Sequence, residues 1–312
     1  MSAAVPARVH RPLAGIALIL AACACFAVLD TSAKHLGSLL PVVVILWARY
    51  AFQAVAMGLW LAPRKRRALW RAAHPRFQWV RGLLLLAVSA LGFWGLQMLP
   101  VAEFTAVVML TPVLVTVLAV AVLHEPITPL RAALVVGGLS GALIIVRPGS
   151  GLFGWAALLP VAAALCYAAF QLLTRRLAGI EHPLTTHFYT GWIGTLAASA
   201  GLAAFAVAPW SALAALPAPA WGLLLLVGLL GTVGHLLLIL AMGNAPVSLL
   251  MPFTYAQIVF AMFTGWIAFA HVPDGWALVG MAVIALCGAA SVWLNARDAR
   301  AAVPDSTDTI GD

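Results

Sequence analysis

The chain has 312 residues, of which 64% are apolar and only 8% are charged, and its mean hydropathy is +1.06. Soluble domains carry about 25% charged residues, so this composition excludes a soluble globular protein. The net charge of +8 does not indicate nucleic-acid binding, because the basic residues form no patch on a water-facing domain. Neither lysine, Lys34 or Lys65, lies in a phosphate-binding loop, which excludes an ATP-driven pump within this chain.

Turn residues and charges divide the chain into ten apolar segments, and a membrane-spanning helix requires ~20 residues. The first segment has no small-residue cleavage site after it, so we interpret it as a retained span rather than a signal peptide. The sequence therefore predicts an all-α integral membrane protein with ten transmembrane helices. The predicted spans are 13–33, 41–62, 80–99, 102–123, 130–147, 152–174, 184–207, 220–241, 246–269 and 274–295.

The basic residues indicate the orientation of these helices, because Lys and Arg are retained on the cytoplasmic side of a membrane. With the N-terminus inside, fourteen of the 17 basic residues lie in cytoplasmic segments, two lie outside and Arg49 lies within a span. The pattern predicts a multi-pass protein of the cell inner (plasma) membrane with both termini in the cytoplasm. Residues 1–12 form the predicted cytoplasmic N-terminus, and the aspartate-containing residues 296–312 a disordered cytoplasmic tail.

An internal repeat relates the two halves of the chain. Cys25-Phe26-Ala27 matches Cys166-Tyr167-Ala168 at a shift of 141, and the shift grows to 146 between Pro100 and Pro246. The predicted repeats are residues 13–147, with spans 1 to 5, and residues 152–295, with spans 6 to 10. Because five is odd, the second repeat enters the membrane from the opposite side, which gives a 5+5 inverted-topology repeat. Such an architecture can expose one central site to either side in turn, which suits transport.

Motifs in both repeats resemble the drug/metabolite transporter superfamily, in the form with two EamA domains of five helices each. The first half contains Phe26-Ala-x-x-Asp30-x-x-x-Lys34, Trp47-Ala48-Arg49-Tyr50, Leu99-Pro100-Val101-Ala102, Thr111-Pro112 and His124-Glu125-Pro126. The second half contains Ala241 to Val247, Pro252-Phe253-Thr254-Tyr255 and Val272-Pro273-Asp274. Where the family pattern has Gly-Glu before span 10, this chain has Ala270-His271, so the second of two carboxylates is missing.

The resemblance implies a secondary transporter with a small-molecule substrate and the lipid bilayer as its partners, without a nucleic acid. We expect export of small zwitterionic or amphiphilic metabolites, such as amino-acid-like compounds or opine-type metallophores. The alternative is import of a vitamin or cofactor such as riboflavin or S-adenosylmethionine. An intramembrane enzyme is disfavoured by the lack of G-x-S-x-G and H-E-x-x-H motifs, and a passive channel by the lack of a charged ring. We expect neither a metal nor a cofactor, because the four cysteines lack ligand-spaced partners.

Arg49 is the clearest candidate for substrate binding, because a charge inside the bilayer costs several kcal/mol and is usually functional or paired. It is interpreted either as an anchor for a carboxylate or phosphate of the substrate, or as a structural partner of Glu103 or Asp30. Asp30 and Lys34 lie four residues apart, so we expect them to pair with each other. Glu125 is expected to cap span 5 or to pair with Arg131.

The remaining candidates are polar or aromatic residues within the spans, some of which must face a wet cavity or each other. His187 and His235 are interpreted as neutral packing residues or as a proton relay, which leaves proton coupling possible. Three tryptophans deep in the spans could line a cavity or face lipid: Trp47, Trp94 and Trp192. The full set of further substrate-binding candidates is Trp47, Trp94, Gln97, Gln171, His187, Tyr189, His235, Tyr255 and Gln257.

Overall fold

The computed structural model describes residues 12–69, 72–123, 128–147, 153–177, 181–204, 209–244 and 250–301. These residues form twelve α-helices, with short 3-10 helices at Gly154–Ala157 and Met251–Tyr255. The helices are α1 Pro12–Leu36, α2 Val42–Leu69, α3 Pro75–Met98, α4 Val101–Val108, α5 Thr111–Leu123, α6 Pro129–Val146, α7 Leu158–Leu177, α8 Pro183–Ala204, α9 Pro209–Ala214, α10 Ala218–Asn244, α11 Ala256–Phe269 and α12 Gly275–Ala301. The predicted disordered tail at 296–312 is corrected for residues 296–301, because α12 continues as helix to Ala301, and its remaining part lies outside the described residues.

Prolines begin several of these helices, since the first helical position needs no backbone N–H and a fixed φ suits it. Pro75 opens α3, Pro129 opens α6 and Pro183 opens α8. At α6 the hydroxyl of Thr128 also accepts the backbone N–H of Arg131 at 3.3 Å, which caps the helix. The apolar runs between these prolines then form the helices.

Eight helices of the described chain are long and apolar enough to cross a membrane. Large apolar side chains cover their outer surface, as expected where lipid replaces water, and Leu286 is 71% exposed. The protein is therefore an all-helical, multi-pass membrane protein. The eight segments are Pro12–Leu36, Val42–Trp60, Pro75–Met98, Pro129–Val146, Gly154–Thr174, Ala218–Met242, Pro252–Phe269 and Gly275–Leu294.

The fourth predicted span, 102–123, is not one uninterrupted helix. The chain turns at Met109 and Leu110, between α4 and α5. Pro112 causes the break, because it has no backbone N–H to donate to the carbonyl of Val108. The hydroxyl of Thr111 donates to that carbonyl instead, at 2.7 Å. The expectation of a single helix is corrected to two helices with a turn inside the bundle.

The helices pack mainly across the two halves of the chain. In the first half, α1 packs against α10 and α11, and α2 packs against α8 and α10. Helix α3 packs against α7 and α8, while α4 and α5 pack against α7. Helix α6 packs along α12. Each of these pairs joins a helix of the first half to a helix of the second, so the core is an interface between the halves.

Glycines allow the closest of these approaches, between α6 and α12. A Cβ added to Gly280 would lie 2.6 Å from the backbone oxygen of Gly141, and one added to Gly141 would lie 2.9 Å from the oxygen of Gly280. Because backbone atoms cannot rotate away, a side chain at either position would force the helices apart.

Contacts between side chains define two ends of the bundle. At one end Lys34 donates to the carbonyl of Leu99 at 2.8 Å, and we name this the Lys34 end. At the other, Arg81 of α3 donates to the hydroxyl of Thr174 in α7 at 2.9 Å, and we name this the Arg81 end. Helix α1 therefore runs toward the Lys34 end, whereas α7 runs toward the Arg81 end.

The glycine contact predicts the effect of substitution. We expect Gly280→Ala to destabilise the folded protein by about 1–3 kcal/mol, the cost typical of overpacking. Gly222→Ala in α10 is the matched control, because its Cβ would meet nothing within 4 Å. Thermal denaturation in detergent measures both midpoints. A midpoint for Gly280→Ala equal to that of Gly222→Ala would contradict the close approach of α6 and α12.

Candidate substrate site

A cavity of about 120 Å³ lies between the two halves of the bundle. Seven helices line it: α1, α2, α3, α4, α7, α10 and α11. Its wall combines aromatic rings with a few polar groups, which is the usual composition of a small-molecule site. The lining residues are Phe26, Leu29, Asp30, Arg49, Leu85, Val88, Ser89, Gly92, Phe93, Phe104, Val108, Met109, Ala163, Tyr167, His235 and Gln257.

Arg49 is a buried cation at this cavity, with 3% of its surface exposed. Its Nη1 donates to the hydroxyl of Ser89 at 3.1 Å. Ser89 in turn donates to the hydroxyl of Tyr50 at 2.9 Å, because Tyr50 donates its own proton to the carbonyl of Leu85 at 3.1 Å. Nε of Arg49 is buried without a hydrogen-bond partner among the described residues. The cation is thus oriented by α3, and its Nε remains a donor without a partner among the described residues.

A row of glycines on α10 accommodates the side chains beside the cavity. A Cβ at Gly231 would lie 2.8 Å from Nε of Arg49, and one at Gly234 would lie 2.8 Å from the ring of Phe26. A Cβ at Gly228 would lie 2.6 Å from the ring of Phe52. The sequence suggests that such glycines bring helix backbones together. In the structure they make room for an arginine and two aromatic rings.

Asp30 and Lys34 do not pair with each other, so that expectation is corrected. Lys34 donates to the carbonyl oxygens of Leu96 and Leu99 at the C-terminal end of α3, where helix carbonyls lack internal partners. Asp30 lines the cavity. Among the described residues, neither Asp30 nor Glu103 forms an ion pair with Arg49 within 4 Å. Arg49 therefore forms no direct ion pair with either suggested partner, although Asp30 shares the cavity with it.

The two predicted membrane histidines lie against each other, with ring centroids 6.1 Å apart. His235 lines the cavity, and its Nδ1 lies 2.8 Å from the carbonyl of Gly231, which can only accept. His187 lies behind it, 3% exposed, with its Nδ1 3.3 Å from the amide of Gln53. Its Nε2 is buried without a partner among the described residues. One histidine therefore faces the substrate space and the other supports it.

The other predicted substrate-binding residues are distributed unevenly. Gln257 lines the cavity. Trp94 is 56% exposed on the outer surface of the bundle, and Trp47 donates to Ser199 at 3.0 Å on the side of α2 that faces α8. Gln97 donates to the carbonyl of Phe93. These last three do not line the cavity, because their rings and amide point to neighbouring helices or to lipid.

Three further candidates do not line the cavity. Gln171 is half-buried on α7, one turn beyond Tyr167. Tyr189 is half-buried beside the cluster of Met57 and Phe188. Tyr255 is 7% exposed at the start of α11, and its hydroxyl has no partner among the described residues. Glu125 lies outside the described residues.

Arg81 is a second buried cation, which the sequence assigns only to the cytoplasmic charge count. It donates to Thr174 at 2.9 Å and to Thr190 at 2.8 Å, and its Cζ lies 4.6 Å from the ring centroid of Phe170. It therefore joins α3 to α7 and α8. The apolar residues that follow it, from Gly82 onward, are the sequence signal that it belongs to a helix inside the bundle rather than to a loop.

Two ionic contacts join the halves at the Lys34 end. Nε2 of His271 lies 2.8 Å from Oε1 of Glu103, whose side chain is 5% exposed. Arg147, which ends α6 in the left-handed conformation, donates to Asp274 at 2.5 Å. His271 occupies the position where the family pattern has a glutamate. In this chain the histidine at that position pairs with Glu103.

Helices of both halves share a central cavity that carries a few polar groups, which is the arrangement typical of a membrane transporter. The sequence profile of the EamA-like transporter family matches residues 13–147 and again residues 154–294. The chain belongs to this family, which lies within the drug/metabolite transporter superfamily.

Relatives of this chain include transporters with different substrates and directions. It is 33% identical to a riboflavin transporter of Rhizobium johnstonii, over 78% of this chain and 82% of the relative. It is 26% identical to a pseudopaline exporter of Pseudomonas aeruginosa, over 86% of this chain and 93% of the relative. It is 23% identical to an S-adenosylmethionine uptake transporter of Rickettsia prowazekii, over 82% of this chain and 84% of the relative. A crystal structure of 20% identity superimposes with a TM-score of 0.63, over 93% of this chain and 99% of the other, which shows a shared fold.

The hydrogen bonds beside Arg49 predict a contrast between two tyrosines. We expect Tyr50→Phe to lower the denaturation midpoint, because it removes a donor to Leu85 and an acceptor for Ser89, at a cost of about 1–3 kcal/mol. Tyr255→Phe is the matched control, since its hydroxyl has no described partner and its removal is close to neutral. Equal midpoints for the two variants, measured by thermal denaturation in detergent, would refute this account of the Tyr50 hydroxyl.

Proposed function

We propose that the protein is a secondary transporter of the bacterial inner membrane that works by alternating access around the cavity at Arg49. The observation that carries the proposal is the position of the cavity, whose wall takes residues from both halves. A site at the interface of two repeats can open to either side when the repeats rock against each other.

The packing of the helices supports a 5+5 inverted repeat. In the proposed repeat, α1, α2, α3 and α6 correspond to α7, α8, α10 and α12. Exchanging each helix for its counterpart turns the contact of α1 with α10 into the contact of α7 with α3. In the same way, the contact of α2 with α10 becomes that of α8 with α3, and the pairs α2–α8 and α6–α12 map onto themselves. Helices α1 and α7 also run in opposite directions, as an inverted repeat requires.

The broken helices also support this relation between the halves. At the shift of 146 that relates Pro100 to Pro246, the break at Met109 corresponds to Tyr255, where the 3-10 helix gives way to α11. Interrupted helices at equivalent positions of two repeats are typical of transporter binding sites. Met109 lines the cavity, and so does Gln257 just after the second interruption. We add two spans to the eight long apolar helices: α4 and α5 together form one broken span, and α8 forms the other. The proposed total is ten spans.

We infer that riboflavin, or a similar planar heterocycle, is the substrate and that it is taken up. Four aromatic side chains line the cavity and can stack on a planar ring system: Phe26, Phe93, Phe104 and Tyr167. Arg49 can donate to ring carbonyl oxygens. The named function of the relative in Rhizobium johnstonii agrees with this chemistry. The volume of about 120 Å³ is below the ~300–1,000 Å³ of drug-sized pockets, so the cavity must enlarge to admit the ring system.

Export of a zwitterionic metabolite is the second candidate, and it keeps the direction that the sequence favours. Arg49 and Asp30 both line the cavity, so a cation and a carboxylate are available for a solute with both charges. The pseudopaline exporter among the relatives agrees with this candidate. Competition of each solute against labelled riboflavin in proteoliposomes separates the two candidates.

The proposed topology places both termini and the Arg81 end in the cytoplasm. We expect a green fluorescent protein fused after the last residue to fluoresce, because that protein matures only in the cytoplasm. Alkaline phosphatase fused after Arg147 is expected to be active, since five spans would carry it outside. Phosphatase activity at the C-terminus, or fluorescence after Arg147, would contradict the inverted arrangement.

The proposed site predicts a severe loss of transport when Arg49 is changed. We expect Arg49→Ala to lower kcat/KM for riboflavin counterflow about 10- to 100-fold, because a hydrogen bond from a charged donor contributes about 1.5–3 kcal/mol. Arg49→Lys should recover part of the flux, since it keeps the charge without the planar fork. Counterflow into proteoliposomes preloaded with unlabelled riboflavin is the measurement.

Arg297→Ala is the control for this experiment, because it removes an exposed arginine near the end of α12. Its flux should equal that of the unaltered protein. Denaturation midpoints of all variants establish whether a loss of flux reflects a loss of fold. Unchanged riboflavin flux in Arg49→Ala would exclude Arg49 from the riboflavin site. Unchanged flux of a carboxylated solute in the same variant would exclude Arg49 as the group that binds the carboxylate of a zwitterionic metabolite.

A further inference from the structure

The contact between Glu103 and His271 has features that a purely structural ion pair does not need. Glu103 lies in the first turn of α4, and its Oε1 accepts from His271 at 2.8 Å. Its Oε2 is buried and has no hydrogen-bond partner among the described residues. A buried carboxylate oxygen without a partner is costly, whereas a proton bound there removes the charge that makes it so.

The path to this carboxylate leads through His271. The imidazole is 37% exposed, whereas Glu103 is 5% exposed. His271 follows Ala270, which ends α11 in the left-handed conformation with φ of 51°. That conformation ends the helix, and the ring of His271 lies against the carboxylate of Glu103. An exposed imidazole therefore lies between solvent and a buried carboxyl group.

The charged groups around Glu103 come from every helix near the Lys34 end. On α1, Lys34 is held by the carbonyls of Leu96 and Leu99, and His35 is exposed. At the ends of α6 and α12, Arg147 and Asp274 bond to each other. None of these described groups supplies a donor to Oε2 of Glu103.

We propose that Glu103 is the proton-binding group of a gate at the Lys34 end, with His271 as its contact on the second repeat. The ionised carboxylate holds His271 and keeps this end closed. Protonation of Oε2 weakens the contact and lets the two repeats separate there. This inference rests on the proposed function, because a gate of this kind serves a carrier, and it assigns the coupling ion as a proton.

The step is a simple proton transfer. One proton from the outer solution adds to Oε2 of Glu103, no covalent bond between heavy atoms breaks, and the carboxylate becomes a neutral acid. A charge-assisted hydrogen bond from His271 is replaced by a neutral one, which is roughly half as strong. The same inward proton movement can accompany uptake of a substrate or oppose its export.

Infrared difference spectroscopy tests the proton site without transport. The full chain is reconstituted in phosphatidylethanolamine and phosphatidylglycerol vesicles and titrated with acid. We expect a carbonyl-stretch band of a protonated carboxylic acid that is lost in Glu103→Gln. In His271→Ala the band should persist to higher pH, because the hydrogen bond that stabilises the ionised carboxylate is removed. A band that is lost in Asp30→Asn but kept in Glu103→Gln would overturn the assignment.

Flux measurements test the coupling. Under an inside-alkaline pH gradient, labelled riboflavin should move against its gradient, and in Glu103→Gln this should fall to simple equilibration while counterflow persists. Asp274→Asn is the matched control, because it breaks the other ionic contact at the same end, and its pH-driven flux should remain. Loss of pH-driven flux in Asp274→Asn, or its retention in Glu103→Gln, would overturn the proposal.

The two experiments also separate this proposal from the transport function. If the unaltered protein shows the Glu103 band but neither riboflavin nor a zwitterionic solute exchanges, the proposed function fails while the proton site stands. If counterflow is robust but no band depends on Glu103, the gate is overturned while the transporter stands.

Discussion

The buried cation at Arg49 is the constraint on which the core of this protein depends. A charge moved out of water into the bilayer interior costs several kcal/mol unless polar groups replace its hydration. Ser89 supplies one such group, and the ring of Tyr50 lies 4.6 Å from the guanidinium carbon. No ion pair compensates it among the described residues. The rest of the compensation must come from Asp30 across the cavity, and from water or a polar ligand inside it. The charge of Arg49 therefore depends on the polar groups of the cavity for its stabilisation.

The sequence predicts this relation only in part. Apolar length gives the helices and the family, because spans and turns are local properties of the chain. Arg49 is identified by its charge within an apolar run, since a charge at that depth is either functional or paired. The hydrogen-bond partners of charged side chains are not predicted in this way. The spacing along α1 suggests that Lys34 pairs with Asp30, yet Lys34 donates to carbonyl oxygens at the end of α3. Sequence spacing identifies which groups are adjacent on one helix, but not which tertiary partner is closer.

The same limit explains why one buried arginine was expected and the other was not. Arg81 lies near a predicted membrane boundary, where a basic residue is ordinarily a topology signal. Its burial depends on Thr174 of α7 and Thr190 of α8, both in the other half of the chain. Trp94 illustrates the converse, because it lies deep in a predicted span and yet faces outward. In a helix without amphipathic contrast, only packing decides which face turns inward.

The two ends of the bundle hold the repeats together by different chemistry, and this difference bears on direction. At the Arg81 end, the arginine bonds to threonine hydroxyls, neither of which changes charge near neutral pH. Glu181 at that end accepts a backbone N–H of His74 at 2.9 Å, a donor that carries no charge of its own. At the Lys34 end, the carboxylate of Glu103 bonds to the imidazole of His271, so both partners are ionisable side chains. A difference in pH across the membrane can then act on one end more than on the other. A carrier that must open its ends alternately needs such an asymmetry, because a driving ion that loosened both ends equally would favour neither.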